Sequence, residues 1–288
     1  MLKRKEEKRK RKRIMDEPVK AHLLSILSEI IPNIWSITEA SNSYLIYNGG
    51  NYTGAIDKNL ASLTIDSLGV YATPLIQKLE IAELTIKFVL DHHYVNLYNI
   101  IKNKLTITSF SLSCHYLHGQ KIIELFQLLP KTNIVVLTLD ASFSKESIDA
   151  LINILPKTKI RSVELEHRHG FNETFLLDFA KEIIKVISLQ KLDFSFLNDN
   201  DLENQLISIL QSNITLTCLP NGNRSDGFDK LEKRNQKVQH IISRSIITFI
   251  LVKRLGLGLH EIPYEIVIMI AKFLYLSRSD LIWLQCIK

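Results

Sequence analysis

Cysteine is scarce, with only Cys114, Cys218 and Cys286 in 288 residues. So sparse and odd a set, without a C-x-x-C pair, excludes a disulfide framework and a zinc knuckle and points to a reducing compartment. Glycine (10) and proline (7) are also few, which excludes collagen-like and low-complexity chains. Long hydrophobic runs are missing. The most apolar stretch, Ser245 to Val252, has eight residues between Arg244 and Lys253, too short to span a bilayer. At the N-terminus the basic run leads into Ile14, Met15 and Asp16 rather than an apolar segment, so no secretory signal is read there. No nucleophile elbow, phosphate-cradling glycine loop or HExxH pair occurs, and neither an enzyme nor a cofactor is expected.

Net positive charge is missing from the body of the chain. The net charge is +6, but residues 1–13 alone carry +7, nine Lys or Arg against Glu6 and Glu7. Between residues 81 and 220 there are 13 basic and 15 acidic side chains, a poor match to a duplex whose phosphates must be neutralised. Nucleic acid is therefore not the expected partner. The tail, KRKEEKRKRKR, suits a nuclear import signal, a patch for an anionic membrane surface or a solubilising arm.

What is present is a buried-core composition, 46% hydrophobic, arranged in a repeat. The apolar template LxxLxL starts at Ile81, Ile107, Ile134, Ile160 and Leu189, with steps of 26, 27, 26 and 29 residues. A sixth start falls at Leu216 with Leu219, and a degenerate early one at Leu60, Leu63 and Ile65. Helical apolar spacing follows the strands, as in Ile122, Leu125, Phe126 and Leu129 or Ile148, Leu151, Ile152 and Leu155, and the near-copies LLPKTN and ILPKTK close two of these helices. One short strand and one helix cannot enclose a core alone, so the units must stack strand beside strand.

These residues resemble the leucine-rich-repeat family of ribonuclease-inhibitor type. The family's Asn, eight residues after each start, is replaced by Val89, His115, Ser142, Arg168 and Leu197. The resemblance implies an α/β solenoid, a horseshoe with a parallel concave sheet, convex helices and a helical C-terminal appendage. The expected organisation is a basic tail (1–15), an N-terminal helix and hairpin cap (16–59), the solenoid (60–237) and a helical C-terminal region (238–288). In the cap, Leu23, Leu24, Ile26, Leu27, Ile30 and Ile31 give a broad apolar helix face, and Asn48-Gly49-Gly50-Asn51 turns a hairpin.

Side-chain alternation places the intervening strand positions on the concave face. One column runs Thr85, Ser111, Thr138, Glu164, Asp193, and the next Lys87, Ser113, Asp140, Glu166, Ser195. Asp140, Glu164, Glu166 and Asp193 gather there and suit a basic protein partner, while Arg161 and Lys191 are placed to neutralise them locally. His167 and Phe196 complete the expected partner-binding set. His92 and His118 each lie 11 residues past a repeat start, but Ala141, Ser142 and Phe143 interrupt the row, so a hydrogen-bonding rim is expected rather than a metal site. Cys114 beside His115 invites a thiol nucleophile, yet neighbours in a strand point to opposite faces.

From residue 259 onward the chain resembles the first two helices of an F-box, through Ile262, Pro263, Glu265, Ile266, Ile270, Phe273 and Leu274 followed by Asp280-Leu281. That resemblance implies docking of Ile262, Pro263, Ile266, Ile270 and Leu274 on the ubiquitin-ligase adaptor Skp1. The Lys, Ile and Asn-rich composition together with this motif resembles secreted effectors of intracellular bacteria such as Legionella, which implies action in a host cytoplasm. A monomer that binds, and in doing so inhibits, another protein is the leading expectation.

Overall fold

The computed structural model describes residues 18–30, 35–48, 51–68, 72–114, 117, 119–166, 173–186, 188–194, 200–217, 219 and 226–254. Strands β1 (Trp35–Glu39), β2 (Ser43–Asn48), β3 (Asn51–Asp57) and β4 (Ser62–Ile65) form an antiparallel meander. From β4 onward pairing is parallel through β5 (Glu83–Ile86), β6 (Ser109–Cys114), β7 (Val136–Ala141), β8 (Ser162–Glu166) and β9 (Lys191–Phe194). All nine strands lie in one sheet in sequence order. Helix α1 covers residues 18–30, and α2 (Ala72–Lys78), α3 (Tyr94–Asn103), α4 (Gln120–Leu128), α5 (Lys145–Ile154), α6 (Glu173–Ile183) and α7 (Asn200–Leu210) each follow a parallel strand. A long α8 (Asp226–Arg254) closes the order. No helix among the described residues is long and apolar enough to cross a membrane.

The repeat sets the register. Each strand of β5 to β9 begins two residues after its predicted start, so Leu63, Leu84, Phe110, Leu137, Val163 and Leu192 lie directly beside one another in one row. All six are buried, as are Ile65, Ile86, Leu112, Leu139 and Leu165 in the row two residues on. Apolar faces of the helices, such as Leu97 and Ile100, Leu125 and Phe126, or Leu176 and Phe179, close over the same side. A fully buried Leu, Ile or Phe contributes about 1.5–3 kcal/mol. Two inward strand residues therefore cannot hold a unit without its neighbours.

A backbone device recurs ahead of each strand. The Thr108 carbonyl accepts from both Val135 N and Val136 N (2.7 and 3.1 Å), and the carbonyls of Ala82, Val135 and Arg161 do the same for the following unit. At the turn into the strand, Thr132 Oγ1 donates to the Leu129 carbonyl (2.8 Å) and Thr158 Oγ1 to that of Leu155 (2.8 Å). These are the threonines of the two Pro-Lys-Thr copies. The shared sequence thus encodes a shared turn in which a side chain holds a buried carbonyl.

Several expectations are corrected. The hairpin expected in the N-terminal cap forms as β2 and β3 and, with the unforeseen strand β1, continues the sheet at β4. Gly54 permits that junction, since a Cβ there would sit 2.2 Å from the Thr64 carbonyl oxygen. Leu24 is exposed while Leu23 and Leu27 are buried, so the apolar face of α1 is narrower than expected. Leu60 holds the early start position in a left-handed turn (φ 57°) that Asp57 Oδ1 secures by accepting from Ala61 N and Ser62 N.

The sixth start forms no strand among the described residues. Leu216 and Leu219 are buried and Thr217 N still donates to the Gln190 carbonyl (2.7 Å), but α8 takes the place of the next strand. Asn235 Nδ2 donates to the Leu216 carbonyl (2.7 Å), Gln236 Nε2 to that of Thr217 (3.0 Å) and Gln239 Nε2 to that of Ile214 (2.8 Å). Positions 235, 236 and 239 lie on one helical face, so α8 caps the edge with side-chain amides. The helix also runs unbroken through residue 237, where the rise in apolar content suggests a boundary.

Candidate binding face of the sheet

Opposite the helices the sheet presents its second set of side chains. Register pairs Thr85 with Ser111, Ser111 with Thr138, Thr138 with Glu164 and Glu164 with Asp193. Ser113 pairs with Asp140, and Asp140 with Glu166. All are half-buried or exposed while the alternate positions are buried. The row also continues where it was not anticipated, through Thr64, Ala55, Leu45 and Thr38 in the antiparallel strands. The signal for this lay in the alternation of residues 43–57, which the hairpin reading used only locally.

The two ends of the face differ. Its first seven residues, Thr38 to Thr138, are hydroxylic or apolar, and its last two, Glu164 and Asp193, are acidic. Asp140 accepts from Ser113 Oγ (2.8 Å), and Glu164 Oε2 accepts weakly from Thr138 Oγ1 (3.5 Å). Lys191 Nζ lies 3.8 Å from Glu164 Oε2, the local neutralisation expected of it. Arg161 does not share that role. It stands one residue ahead of β8, outside the strand alternation, and its exposed side chain makes no ion pair among the described residues. Lys87 belongs to the face but pairs with Asp66 at 3.3 Å. Glu166 reports the crowding: partial burial, then the charges of Asp140, Glu164 and Asp193, push its carboxyl above the ordinary value.

His167, Phe196 and the segment holding Ile262, Pro263, Ile266, Ile270 and Leu274 lie outside the described residues. So does His118, while the His92 and His93 rings are 4.0 Å apart, exposed and half-buried respectively. Among the described residues no group of three His, Cys, Asp or Glu is placed to hold a metal ion. Cys114 points into the core, where burial and then Asp140 push its thiol up to about 12. A thiol so placed is protonated and shielded at neutral pH, which removes it as a nucleophile.

No protein-family model matches the chain, and no curated protein matches it. Among solved structures it is similar to leiomodin-1 actin-binding site 2, at 13% identity and a TM-score of 0.36, over 52% of this chain and 91% of that one. It is also similar to a tropomodulin C-terminal domain from Caenorhabditis elegans, at 13% identity and a TM-score of 0.33, over 49% and 83% of the two chains. Superpositions this loose carry no statement about what the present chain binds.

Proposed function

We propose that the chain is a non-enzymatic protein-binding module, a leucine-rich-repeat horseshoe whose open sheet face holds one protein partner and blocks that partner's own surface. The observation that carries the reading is the register, which sets Glu164 beside Asp193 and Asp140 beside Glu166 on the side away from the helices. Strands about 4.8 Å apart make nine of them roughly 38 Å wide, enough for an interface of ordinary size. Half-withdrawn carboxylates gain most from charge-assisted hydrogen bonds, so the fitting partner presents Lys or Arg to β7, β8 and β9 and a less charged surface to the rest.

The test is affinity capture with the wild-type chain and with Asp140→Lys, Glu164→Lys, Glu166→Lys and Asp193→Lys combined. The partner identified with the wild type is lost by the variant at unchanged helical circular dichroism. Equal capture by both would refute the site.

A second reading rests on the F-box-like pattern at Ile262, Pro263, Ile266, Ile270 and Leu274: a substrate adaptor that joins the captured protein to Skp1. Capture of Skp1 by the full chain but not by one lacking residues 259–288 supports it, and no capture ends it. The setting that goes with either reading is a bacterial effector at work in host cytoplasm, tested by a translocation reporter fused to the chain.

A further inference from the structure

The segments that leave each helix for the next strand line up along one rim of the sheet. At four of the five junctions between α2 and α7, a side chain ties one segment to its predecessor. Lys104 Nζ donates to the Leu79 carbonyl (2.7 Å), Asn133 Nδ2 to the Leu105 carbonyl (2.8 Å), Lys159 Nζ to Asn133 Oδ1 (2.6 Å) and Asn213 Nδ2 to the Ile184 carbonyl (3.1 Å). The remaining junction, between the segments leaving α5 and α6, has no such rung among the described residues. Ser188 stands there one residue ahead of its repeat start, as Asn133 and Lys159 do, and its buried hydroxyl has no hydrogen-bond partner.

The same two helices also leave an open groove on their outer side. A groove of about 650 Å³ lies between them, lined by Phe143, Ile148, Ile152 and Phe179, with exposed Asp149 and Lys181 at its margin. The sequence supplies the cause. The unit that carries α6 is 29 residues long instead of 26 or 27, and it lacks the Pro-Lys-Thr turn that ends α4 and α5. On the sheet side, the strands that follow α5 and α6 are β8 and β9, where Glu164 and Asp193 sit side by side. A missing rung and an open groove coincide at one junction, although Lys191 of β9 still reaches Glu164 of β8 at 3.8 Å.

We propose that the α5–α6 junction is the hinge of the stack, about which the block ending at Lys159 and the block beginning with α6 flex. Packed interfaces move between discrete arrangements rather than deforming evenly, and the weakest of a series moves first. In a linear stack each unit is held only by its neighbours, so one weak junction is enough to divide it. Flexing there changes the curvature of the open face at β8, where the acids lie. The inference stands on the helix side and the rim, and does not require the binding reading to be correct.

Pulsed electron-resonance distances test it on the full chain with Cys218→Ser and Cys286→Ser and buried Cys114 left in place. Spin labels at Asp149→Cys and Lys181→Cys span the proposed hinge, and labels at Gln127→Cys and Asn153→Cys span the bridged α4–α5 junction. A broader distribution with a longer-distance population across α5–α6 is expected. Ser188→Asn supplies the missing rung and reduces that population about fivefold, the effect of one net hydrogen bond. Equal widths at the two junctions overturn the hinge, as does a Ser188→Asn chain, folded by circular dichroism, whose distribution is unchanged. If Ser188→Asn does not fold, the comparison of the two widths in the parent chain decides alone.

Discussion

If α8 stands in for a missing strand, truncating one amide of its capping face should loosen the C-terminal end of the stack. Asn235 is the residue to change. It is fully buried, its Nδ2 donates to the Leu216 carbonyl at 2.7 Å, and its Oδ1 accepts from Arg234 Nε and Nη2 at 3.0 and 2.7 Å. Asn235→Ala leaves that carbonyl buried without a donor, a cost of about 1–3 kcal/mol. Arg234 keeps the Gln211 and Asn213 carbonyls at 2.8 Å each, so its charge is not stranded. The expected loss is about 2 kcal/mol, or roughly 1 M in urea midpoint at an m-value near 2 kcal/mol/M. Gln236→Ala is the control. Its exposed amide donates to Thr217 and Glu232, water replaces both bonds, and the cost should stay within about 0.5 kcal/mol. Because only nearest neighbours are coupled, amide exchange in Asn235→Ala should accelerate in α7 and not in α3. Equal urea midpoints for the two variants would refute the capping role.

Three further outcomes are expected. Gly54→Ala drives a Cβ into the Thr64 backbone, which moves only if β3 and β4 part, and should cost about 2 kcal/mol or more in a urea titration; an unchanged midpoint would show that the close approach is not needed. In a Cys218→Ser, Cys286→Ser chain, Cys114 should resist iodoacetamide at pH 8 until urea unfolds the protein, and prompt native alkylation would contradict its burial. Glu166 has a raised folded pKa, so its ionisation opposes folding and stability falls as pH rises from the ordinary carboxylate value, about 4.3, through the folded value. Glu166→Gln should therefore be the more stable chain at pH 7 and lose that advantage by about pH 4, as read by thermal midpoints, whereas an advantage independent of pH would exclude charge repulsion as the cause.

The parallel half of the sheet was legible because two periodicities agree there. A strand period of two and a unit period near 27 together assign Phe110 or Leu165 to a row and a face with no freedom left. Where only one signal operates, the pattern misleads. Leu216 and Leu219 carry the strand pattern, but whether a strand forms depends on what comes alongside, and a helix with amides at 235, 236 and 239 comes instead. Strand β1 escapes notice because Trp35 to Glu39 is only five residues long, with two apolar side chains in alternation, and is held by pairing with β2. The rise in apolar content near residue 238 suggests a boundary, yet a helix continues for as long as nothing breaks it, and no Pro or Gly intervenes between Phe228 and Arg254.

Of the candidate face, the acidic columns were legible and their local chemistry was not. Alternation placed Asp140, Glu164, Glu166 and Asp193 together, but the pairing of Lys87 with Asp66 and the isolation of Arg161 depend on rotamers and on one-residue offsets that a pattern cannot resolve. The same alternation separates two kinds of constraint within each strand. Inward residues at Leu137, Val163 and Leu192 hold the stack, whereas their neighbours Thr138, Glu164 and Asp193 touch no core. At Glu166, partial burial and the facing charges of Asp140, Glu164 and Asp193 raise the carboxyl, so its ionisation opposes folding. Crowding on one side of a sheet whose other side carries the stability has a thermodynamic cost at Glu166, which a basic partner of the kind proposed above would offset.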